Sequence, residues 1–405
     1  MGHRPALFLL FCAVPVRELY SDDGQLMHII LDANIYAADY RMSGVAFQSL
    51  FEYMRRTESQ LVLPRATREE VVVGYGRELK REMKAFEQAW RAYRRLDLSG
   101  SASFNKPDVR RGMISLRRKL MKPTESIAPI YVPEIAGNFT QEAFMRGVHR
   151  TRPASGSGEE LRDVILWLWV LGYAGAVDAA AFISRDGGFW DGDRVHPDIE
   201  RDLRTKLGKL TIHRTIPDFL KSHAPMQADI TEAWAREHFD IRGIERELLD
   251  GAMRELGRAL SADRIRALSM EQYKVAAGRV YEVSPDSQFA ELNVRLILKF
   301  VLGPGRRAPA FQDLDLLAAL QKAFDQPAAV GGPFYPAAVA ATPFSGAFAD
   351  EAATGEPEAP SRELRSDAEA KVSVRVKNGL TTEISLDGLT IDRGKLYTDV
   401  YKPAT

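Results

Sequence analysis

The sequence IILDANIYAADY, residues 29–40, decides the fold because it ends an apolar run with one aspartate. A short run rich in Ile and Leu, followed by Asp-Ala-Asn, is typical of a strand buried on both faces of a parallel sheet. Asp32 would then lie at the carboxyl end of this strand, the edge at which open α/β sheets bind ligands. By itself Asp32 allows two interpretations, a cap for the following turn or part of a binding site.

The segments that follow alternate between helix and strand patterns. Residues 45–57 have helical spacing, QLVLP (60–64) reads as a strand, and a long charged helix follows with Thr67 as N-cap and Glu70 at the capping-box position. An apolar helix with Asp163 in its first turn precedes a buried strand that ends at Asp186, and LTIHRT (210–215) completes the series. This alternation predicts a parallel α/β sheet flanked by helices.

The C-terminal half has a different pattern. Residues 225–280 favour helices, whereas residues 290–302 alternate like a strand with Leu292 and Leu298 on one face. Asn378-Gly379 lies between two alternating runs and predicts a hairpin. Because a lone hairpin is not stable, we expect both pieces to pair into one antiparallel sheet of a separate small domain. Its core would hold Val372, Val374 and Val376, with Lys371, Ser373, Arg375 and Lys377 in solvent.

These patterns divide the 405 residues into five segments. They are an N-terminal extension (1–26), an α/β domain (27–220), a helical segment with the first strands of the C-terminal domain (221–326), a flexible linker rich in Ala, Pro and Gly (327–370), and the hairpin of the small β domain (371–405).

Composition limits the class of protein. Basic and acidic residues both total 55, so a nucleic-acid partner has to be met by a local patch. The single cysteine, Cys12, excludes intramolecular disulfides and fits a reducing compartment. The apolar stretch near the N-terminus is too short to span a bilayer and lacks a clean cleavage site. We therefore expect a cytoplasmic protein without a membrane partner.

Acidic residues occupy equivalent places in the predicted sheet. Asp32 and Asp186 follow strands, while Glu70 and Asp163 begin helices, so all four should face one crevice. Each also has a structural interpretation as a cap, a helix-dipole partner or a turn residue. Clustered carboxylates repel one another unless a cation neutralises them. Oxygen ligands without Cys or His suit Mg²⁺ or Mn²⁺.

The segments IILDANIYAAD, LVLPRATREEV, EELRDVILW and AAFISRDGGFWD, in this order, resemble the four acidic motifs of PIN-domain ribonucleases. The resemblance covers roughly residues 28–220. It implies a metal-dependent endoribonuclease that leaves a 3′-hydroxyl and a 5′-phosphate. Ser184 and Asn34 match further polar positions of the motifs, and Glu69 competes with Glu70, which we prefer for its offset from Thr67. The catalytic metal ligands implied are Asp32, Glu70, Asp163 and Asp186.

The segment between the second and third motifs is longer than in the small toxin members of that family, which favours a larger branch. The C-terminal half has no counterpart in them and leaves the biological role open. RNA is the implied substrate, DNA stays open, and so does control by an antitoxin or another regulatory protein. Trp190 is the better candidate for base stacking, whereas Trp167 and Trp169 read as core. Two basic segments could contact phosphates or be solvated faces: Arg110, Arg111, Arg117, Arg118, Lys119 and Lys122, then His149, Arg150 and Arg152.

Two other functions fit parts of the pattern. A phosphatase of the haloacid-dehalogenase type needs a second aspartate two residues after the nucleophile, but position 34 is Asn. The second is a catalytically silent PIN-like scaffold that binds RNA or a protein partner. The presence of all four acids argues against it, because a site without a cation has no use for charges that repel one another.

Overall fold

The computed structural model describes residues 26–96, 106–132, 139–154, 161–206, 209–260, 265–302 and 362–399 of the chain. The predicted N-terminal extension, apart from residue 26, and residues 327–361 of the predicted linker lie outside the described residues. Among the helices that are described, none is long and apolar enough to cross a membrane.

Strands and helices alternate through the first half of the chain. In order they are β1 (Met27–Leu31), α1 (Ala33–Ala38), α2 (Val45–Arg56), β2 (Gln60–Pro64), α3 (Arg65–Leu96), α4 (Val109–Met121), β3 (Ile130–Val132), α5 (Phe139–His149), α6 (Leu161–Ala176), β4 (Ala179–Ile183), a 3₁₀ turn (Gly187–Phe189), β5 (Trp190–Asp191), β6 (Arg194–Val195), α7 (Pro197–Arg204), β7 (Leu210–His213) and α8 (Ile216–His223).

The first sheet confirms the predicted parallel α/β architecture. Its strand order is β3-β2-β1-β4-β7, and every pairing is parallel. Ile29 and Leu31 pack on one side with α2, while Ile30 packs on the other side with α6. Helices on both faces explain why the strand is a continuous apolar run. Because the strands are parallel, their carboxyl ends meet at one edge, where β1 is followed by Asp32 and β4 by Ser184.

Helix α3 begins three residues earlier than the capping-box pattern predicted. It starts at Arg65, directly after β2 ends at Pro64, so Thr67 lies inside the first turn. The Thr67 hydroxyl is buried without a hydrogen-bond partner among the described residues, so it caps nothing there. The capping box is therefore wrong, because the chain passes directly from β2 into α3 and the helix has already begun when it reaches Thr67. Glu70 consequently lies in the second turn of α3.

Helix α4 packs closely along α3. A Cβ atom added at Gly76 would meet Met113 Sδ at 2.6 Å, and one added at Gly112 would meet Leu79 Cδ2 at 3.1 Å. The two glycines thus allow the helices to approach. Arg117 pairs with Glu69, so the last turns of α4 lie beside the first turns of α3, at the carboxyl edge of the sheet.

The second half of the chain forms one five-stranded antiparallel sheet with helices packed on it. Its elements are β8 (Met226–Asp229), α9 (Glu232–His238), a 3₁₀ turn (Ile241–Gly243), α10 (Glu245–Leu260), β9 (Ile265–Ser284), β10 (Ser287–Leu302), β11 (Arg362–Lys377) and β12 (Leu380–Asp399). The strand order is β12-β11-β10-β9-β8. The predicted pairing of residues 290–302 with the C-terminal hairpin is confirmed.

The hairpin turn and the buried face of this sheet agree with the sequence prediction. Asn378 and Gly379 have φ values of 51° and 76°, the left-handed conformation that the favoured two-residue hairpin turns require. The inward residues pack on α10 and its neighbours, whereas Leu380, directly after the turn, is 72% exposed. The confirmed core residues are Leu292, Val294, Leu296, Leu298, Val372, Val374 and Val376.

Two boundaries differ from the sequence prediction. The helices predicted for residues 225–280 end at Leu260, and β9 occupies Ile265–Ser284 because it pairs with β10 along nearly its whole length. Strand β11 begins at Arg362, inside the segment predicted as a linker. In both cases strand pairing decides the conformation where local composition favours helix or loop.

The C-terminal sheet is not separate from the first domain. Tyr281, Val283 and Phe289 belong to the same buried cluster as Phe51 of α2. Ser373 and Arg375, which were predicted to face solvent, are buried. The alternation did predict two faces, but the second face is covered by α2 and not by water.

Candidate active site

Asp32 both caps α1 and takes part in a hydrogen-bond network. Its Oδ1 accepts from the backbone N–H of Ala33 at 2.6 Å. Its Oδ2 accepts from Ser184 Oγ at 2.6 Å and from Asn34 Nδ2 at 2.7 Å. The capping interpretation of Asp32 is therefore confirmed, and the network also fixes the direction of its carboxylate.

Ser184 connects Asp32 with Asp186. The backbone N–H of Asp186 donates to Ser184 Oγ at 3.1 Å, and the backbone N–H of Arg185 donates to Asn34 Oδ1 at 3.1 Å. Asp186 Oδ1 in turn accepts from the N–H of Gly188 at 2.6 Å. The ends of the neighbouring strands β1 and β4 are thus joined by side chains, which holds the two aspartates in a fixed relation.

Glu70 and Asp163 both form ion pairs with Arg162, a residue that the acidic motifs did not predict. Arg162 Nη1 lies 2.8 Å from Glu70 Oε1, and Arg162 Nε lies 3.3 Å from Asp163 Oδ1. Glu69 instead pairs with Arg117 and with Arg68. Glu70 therefore points toward Asp163, and Glu69 points toward α4.

The four acids share one electrostatic environment. The pKa of Asp32 is raised to about 7, mainly by burial; the hydrogen bonds from Ser184 and Ala33 oppose this rise, and the charges of Asp163 and Glu70 add to it. Burial likewise raises the pKa of Glu70; Arg162 opposes this shift, while Asp163 and Asp186 add to it. The charge of Asp163 thus acts on both Asp32 and Glu70.

The same charges hold Arg162. Burial alone would lower its pKa, but Glu70, Asp163 and Asp32 raise it overall. A cation in the first turn of a helix could have been noticed in the sequence, because the helix dipole favours acidic residues there. Arg162 is the second residue of α6, so its neighbours must supply the compensation.

The donor set fits a hard divalent cation in its chemistry. Asp32, Glu70, Asp163 and Asp186 offer oxygen ligands only, the kind that Mg²⁺ and Mn²⁺ prefer. Within the described residues, however, no three His, Cys, Asp or Glu side chains stand close enough together to hold an ion. Two of the four candidate ligands are engaged by Arg162 in this arrangement.

The basic segments lie at different distances from these acids. The five cations of α4 and Lys122 directly after it are exposed, and Arg117 pairs with Glu69, the neighbour of Glu70. Arg110 and Arg111 lie in the first turn of the helix and farther from the edge; at 1.5 Å per residue they are roughly 15–17 Å from its end. Arg150 is exposed just after α5, and Arg152 donates its backbone N–H to Asp198 Oδ2 at 3.3 Å.

The burial of the tryptophans agrees with the sequence prediction, because two lie in the core and the third is partly exposed. Trp167 is fully buried and donates to Asp202 Oδ2 at 2.8 Å, and Trp169 is buried as well. Trp190 is half-buried, donates to the carbonyl oxygen of Ser184 at 2.9 Å, and has the guanidinium of Arg214 5.6 Å from its ring centroid. Trp190 is thus part of the edge that carries Ser184.

Comparison with known proteins identifies the first domain. Residues 29–189 match the family model of the PIN domain, a span that includes all four candidate acids. No curated protein and no solved structure matches the chain. Together with the parallel five-stranded sheet, the match supports a PIN domain over residues 29–189, and PIN domains are generally nucleases. The C-terminal sheet lies outside the matched segment.

Proposed function

We propose that the protein is a divalent-metal-dependent endoribonuclease that hydrolyses phosphodiester bonds, with Mg²⁺ or Mn²⁺ as cofactor. Its catalytic metal ligands would be Asp32, Glu70, Asp163 and Asp186. The observation that carries this proposal is that Asp32 and Glu70, whose pKa values are raised first of all by burial, also lie close enough to Asp163 for its charge to add to both shifts. Such an excess of negative charge is what a cation site requires.

The four proposed ligands differ in how firmly their carboxylates are oriented. Asp32 and Asp186 are the better oriented ligands, because the Ser184 hydroxyl donates to the Asp32 carboxylate and the Gly188 N–H donates to that of Asp186. Glu70 and Asp163, held at present by Arg162, complete the site from the opposite helices. A bound cation would neutralise charge on the reacting phosphate and lower the pKa of a water molecule. The protein contributes the geometry.

The RNA would approach over the end of α4. Arg118, Lys119 and Lys122 are exposed there without ion pairs to other described residues, and helix α4 meets α3 near Glu69 and Glu70. Phosphate contacts of this kind supply affinity and little sequence information. Arg110, Arg111, Arg117, Arg150 and Arg152 complete the proposed set of nucleic-acid contacts.

The alternative, a PIN scaffold that binds RNA or protein without cutting, is favoured by one observation. Arg162 neutralises two of the acids, so the described residues close no metal site without a rearrangement. Metal binding distinguishes the two functions: a ligand that binds only the folded state raises its melting temperature. A nuclease should therefore melt at a higher temperature in Mn²⁺ than in EDTA, and a silent scaffold should not.

The test is cleavage of a panel of structured and unstructured RNAs in Mg²⁺, Mn²⁺ and EDTA. Asp32→Asn is the loss-of-function variant. Asp193→Asn is the matched control, since Asp193 is fully exposed and pairs with Arg214. We expect cleavage only with metal, its loss in Asp32→Asn and its retention in Asp193→Asn. Equal cleavage by the Asp32→Asn protein, or cleavage in EDTA, would contradict the proposal.

A further inference from the structure

Arg162 has an unusual position for a side chain beside candidate metal ligands. It lies between two of them, with Nη1 2.8 Å from Glu70 and Nε 3.3 Å from Asp163. The acids are only 24% and 19% exposed, whereas the Arg162 side chain is 59% exposed. The carboxylates are therefore fixed in the crevice, and the guanidinium reaches into it from the rim.

The placement of Arg162 depends on those acids. A cation in the first turn of a helix is opposed by the helix dipole, so the start of α6 alone would not favour it. A long, largely exposed side chain also loses conformational entropy when it is held in one place. Glu70 and Asp163 supply the attraction that offsets both costs. If their charge were neutralised by another cation, that attraction would disappear.

The following proposal for Arg162 rests on the metal-dependent function proposed above. We propose that Arg162 is an exchangeable counter-ion: it neutralises Glu70 and Asp163 while no divalent cation is bound, leaves them when one binds, and then binds a phosphate of the nucleic acid. A divalent cation and a guanidinium compete for the lone pairs of the same carboxylates and repel each other through their like charges. Once released, Arg162 remains at the rim of the site, where the nearest anion is the substrate backbone. Its planar fork suits a phosphate as well as it suits a carboxylate.

This exchange makes Arg162 a competitor of the metal and a metal-dependent contact for RNA. Removing the guanidinium should strengthen metal binding, because the carboxylates no longer have to be freed. It should weaken RNA binding only when metal is present, because without metal the guanidinium is occupied by Glu70 and Asp163. A residue that merely contacts RNA would show the second effect with or without metal.

The first measurement is the affinity of the full-length protein for Mn²⁺, by isothermal titration calorimetry. Arg162→Met keeps the length of the side chain and removes its charge. We expect it to bind Mn²⁺ roughly threefold more tightly than the parent, the size of effect that a partly exposed ion pair gives. Arg162→Lys should lie between the two. Arg214→Met is the matched control, because Arg214 pairs with Asp193 and Trp190, and its Mn²⁺ affinity should equal that of the parent.

The second measurement is the affinity for a short single-stranded RNA by fluorescence anisotropy, in EDTA and in Ca²⁺, which takes oxygen ligands without being the proposed cofactor. Arg162→Met should bind RNA about threefold more weakly than the parent in Ca²⁺ and equally well in EDTA. An unchanged or weaker Mn²⁺ affinity, or the same loss of RNA affinity in both buffers, would overturn the exchange. If the parent itself binds no Mn²⁺, the proposed function fails as well.

Discussion

Arg375 of β11 is paired with Glu52 of α2, across 323 positions of the chain. Both side chains are nearly inaccessible to solvent, and Arg375 Nε donates to Glu52 Oε2 at 3.2 Å. Ser287 donates to the same carboxylate, and Lys377 Nζ lies 3.5 Å from it. The C-terminal sheet is thus fixed to the PIN domain by a buried ionic contact as well as by an apolar one.

Arg375→Met should destabilise the whole protein. A buried carboxylate that loses its partner costs about 3–5 kcal/mol, reduced here because Ser287 and Lys377 stay. We expect a loss of about 2–3 kcal/mol in the free energy of unfolding, measured with urea. The control is Arg295→Met, which breaks an exposed pair with Glu369 and should cost less than about 1 kcal/mol. Equal losses in the two variants would show that the buried pair does not secure the interface.

Metal-free protein should lose stability as the pH rises toward 7. Burial raises the pKa of Asp32 from 3.8 in the unfolded chain to about 7 in the folded one. Between those values the folded state binds more protons than the unfolded state, so the free energy of unfolding falls with increasing pH. Asp32→Asn should remove this part of the pH dependence and raise the melting temperature in EDTA at pH 8. Asp193→Asn should leave the pH profile unchanged; the same flattening in that variant would contradict the assignment.

Neighbouring glutamates provide a matched test of the site. Glu70→Gln should lower the affinity for Mn²⁺ and reduce RNA cleavage at least roughly a hundredfold, since even outer partners of metal ligands contribute 10- to 100-fold. Glu69→Gln should keep both, because Glu69 faces Arg68 and Arg117. Calorimetry and single-turnover cleavage measure the two effects. If the Glu69 variant is the inactive one, the assignment of the second acid is wrong.

Charges at the end of α4 should set the salt dependence of RNA binding. Replacing Arg118 and Lys119 together by Gln should lower RNA affinity and reduce the slope of log K against log salt by about 1.4, that is about 0.7 for each lost phosphate contact. The control replaces Arg201 and Arg204 of α7, which pair with Asp198 and Glu200. Its slope should equal that of the parent. An unchanged slope in the α4 variant would remove this helix from the RNA path.

The sequence predicted buried strands and tight turns correctly, because both place strict local demands on residue type. The run before Asp32 is apolar because helices cover both faces of β1, and the Asn378-Gly379 turn requires left-handed residues, so both were predicted correctly. Local patterns do not show which distant element packs against the polar face of a strand. Arg375 alternates as a solvent residue would, and only the packing of α2 buries it.

The sequence predicted the acids of the candidate site but not the arginine that pairs with two of them. The order and spacing of the acids led to Asp32 and Asp186, whose surroundings are set by the ends of adjacent strands. Arg162 was missed because an arginine beside an aspartate is common on helix surfaces, and its bond to Glu70 joins two helices far apart in sequence. The start of α3 was misplaced because Thr67 and Glu70 have capping-box spacing inside a helix that had already begun.

The central claim is that the four carboxylates hold a catalytic divalent cation, and anomalous diffraction from crystals grown in Mn²⁺ tests it most directly. The account predicts one or two manganese peaks within about 2.5 Å of oxygen atoms of Asp32 and at least one of Glu70, Asp163 and Asp186, with Arg162 turned away from Glu70. Crystals of Asp32→Asn grown in the same solution should lack the peaks or show them much weakened. A fully soaked parent crystal without manganese at these side chains, or with Arg162 still bridging Glu70 and Asp163 at full occupancy, would contradict it.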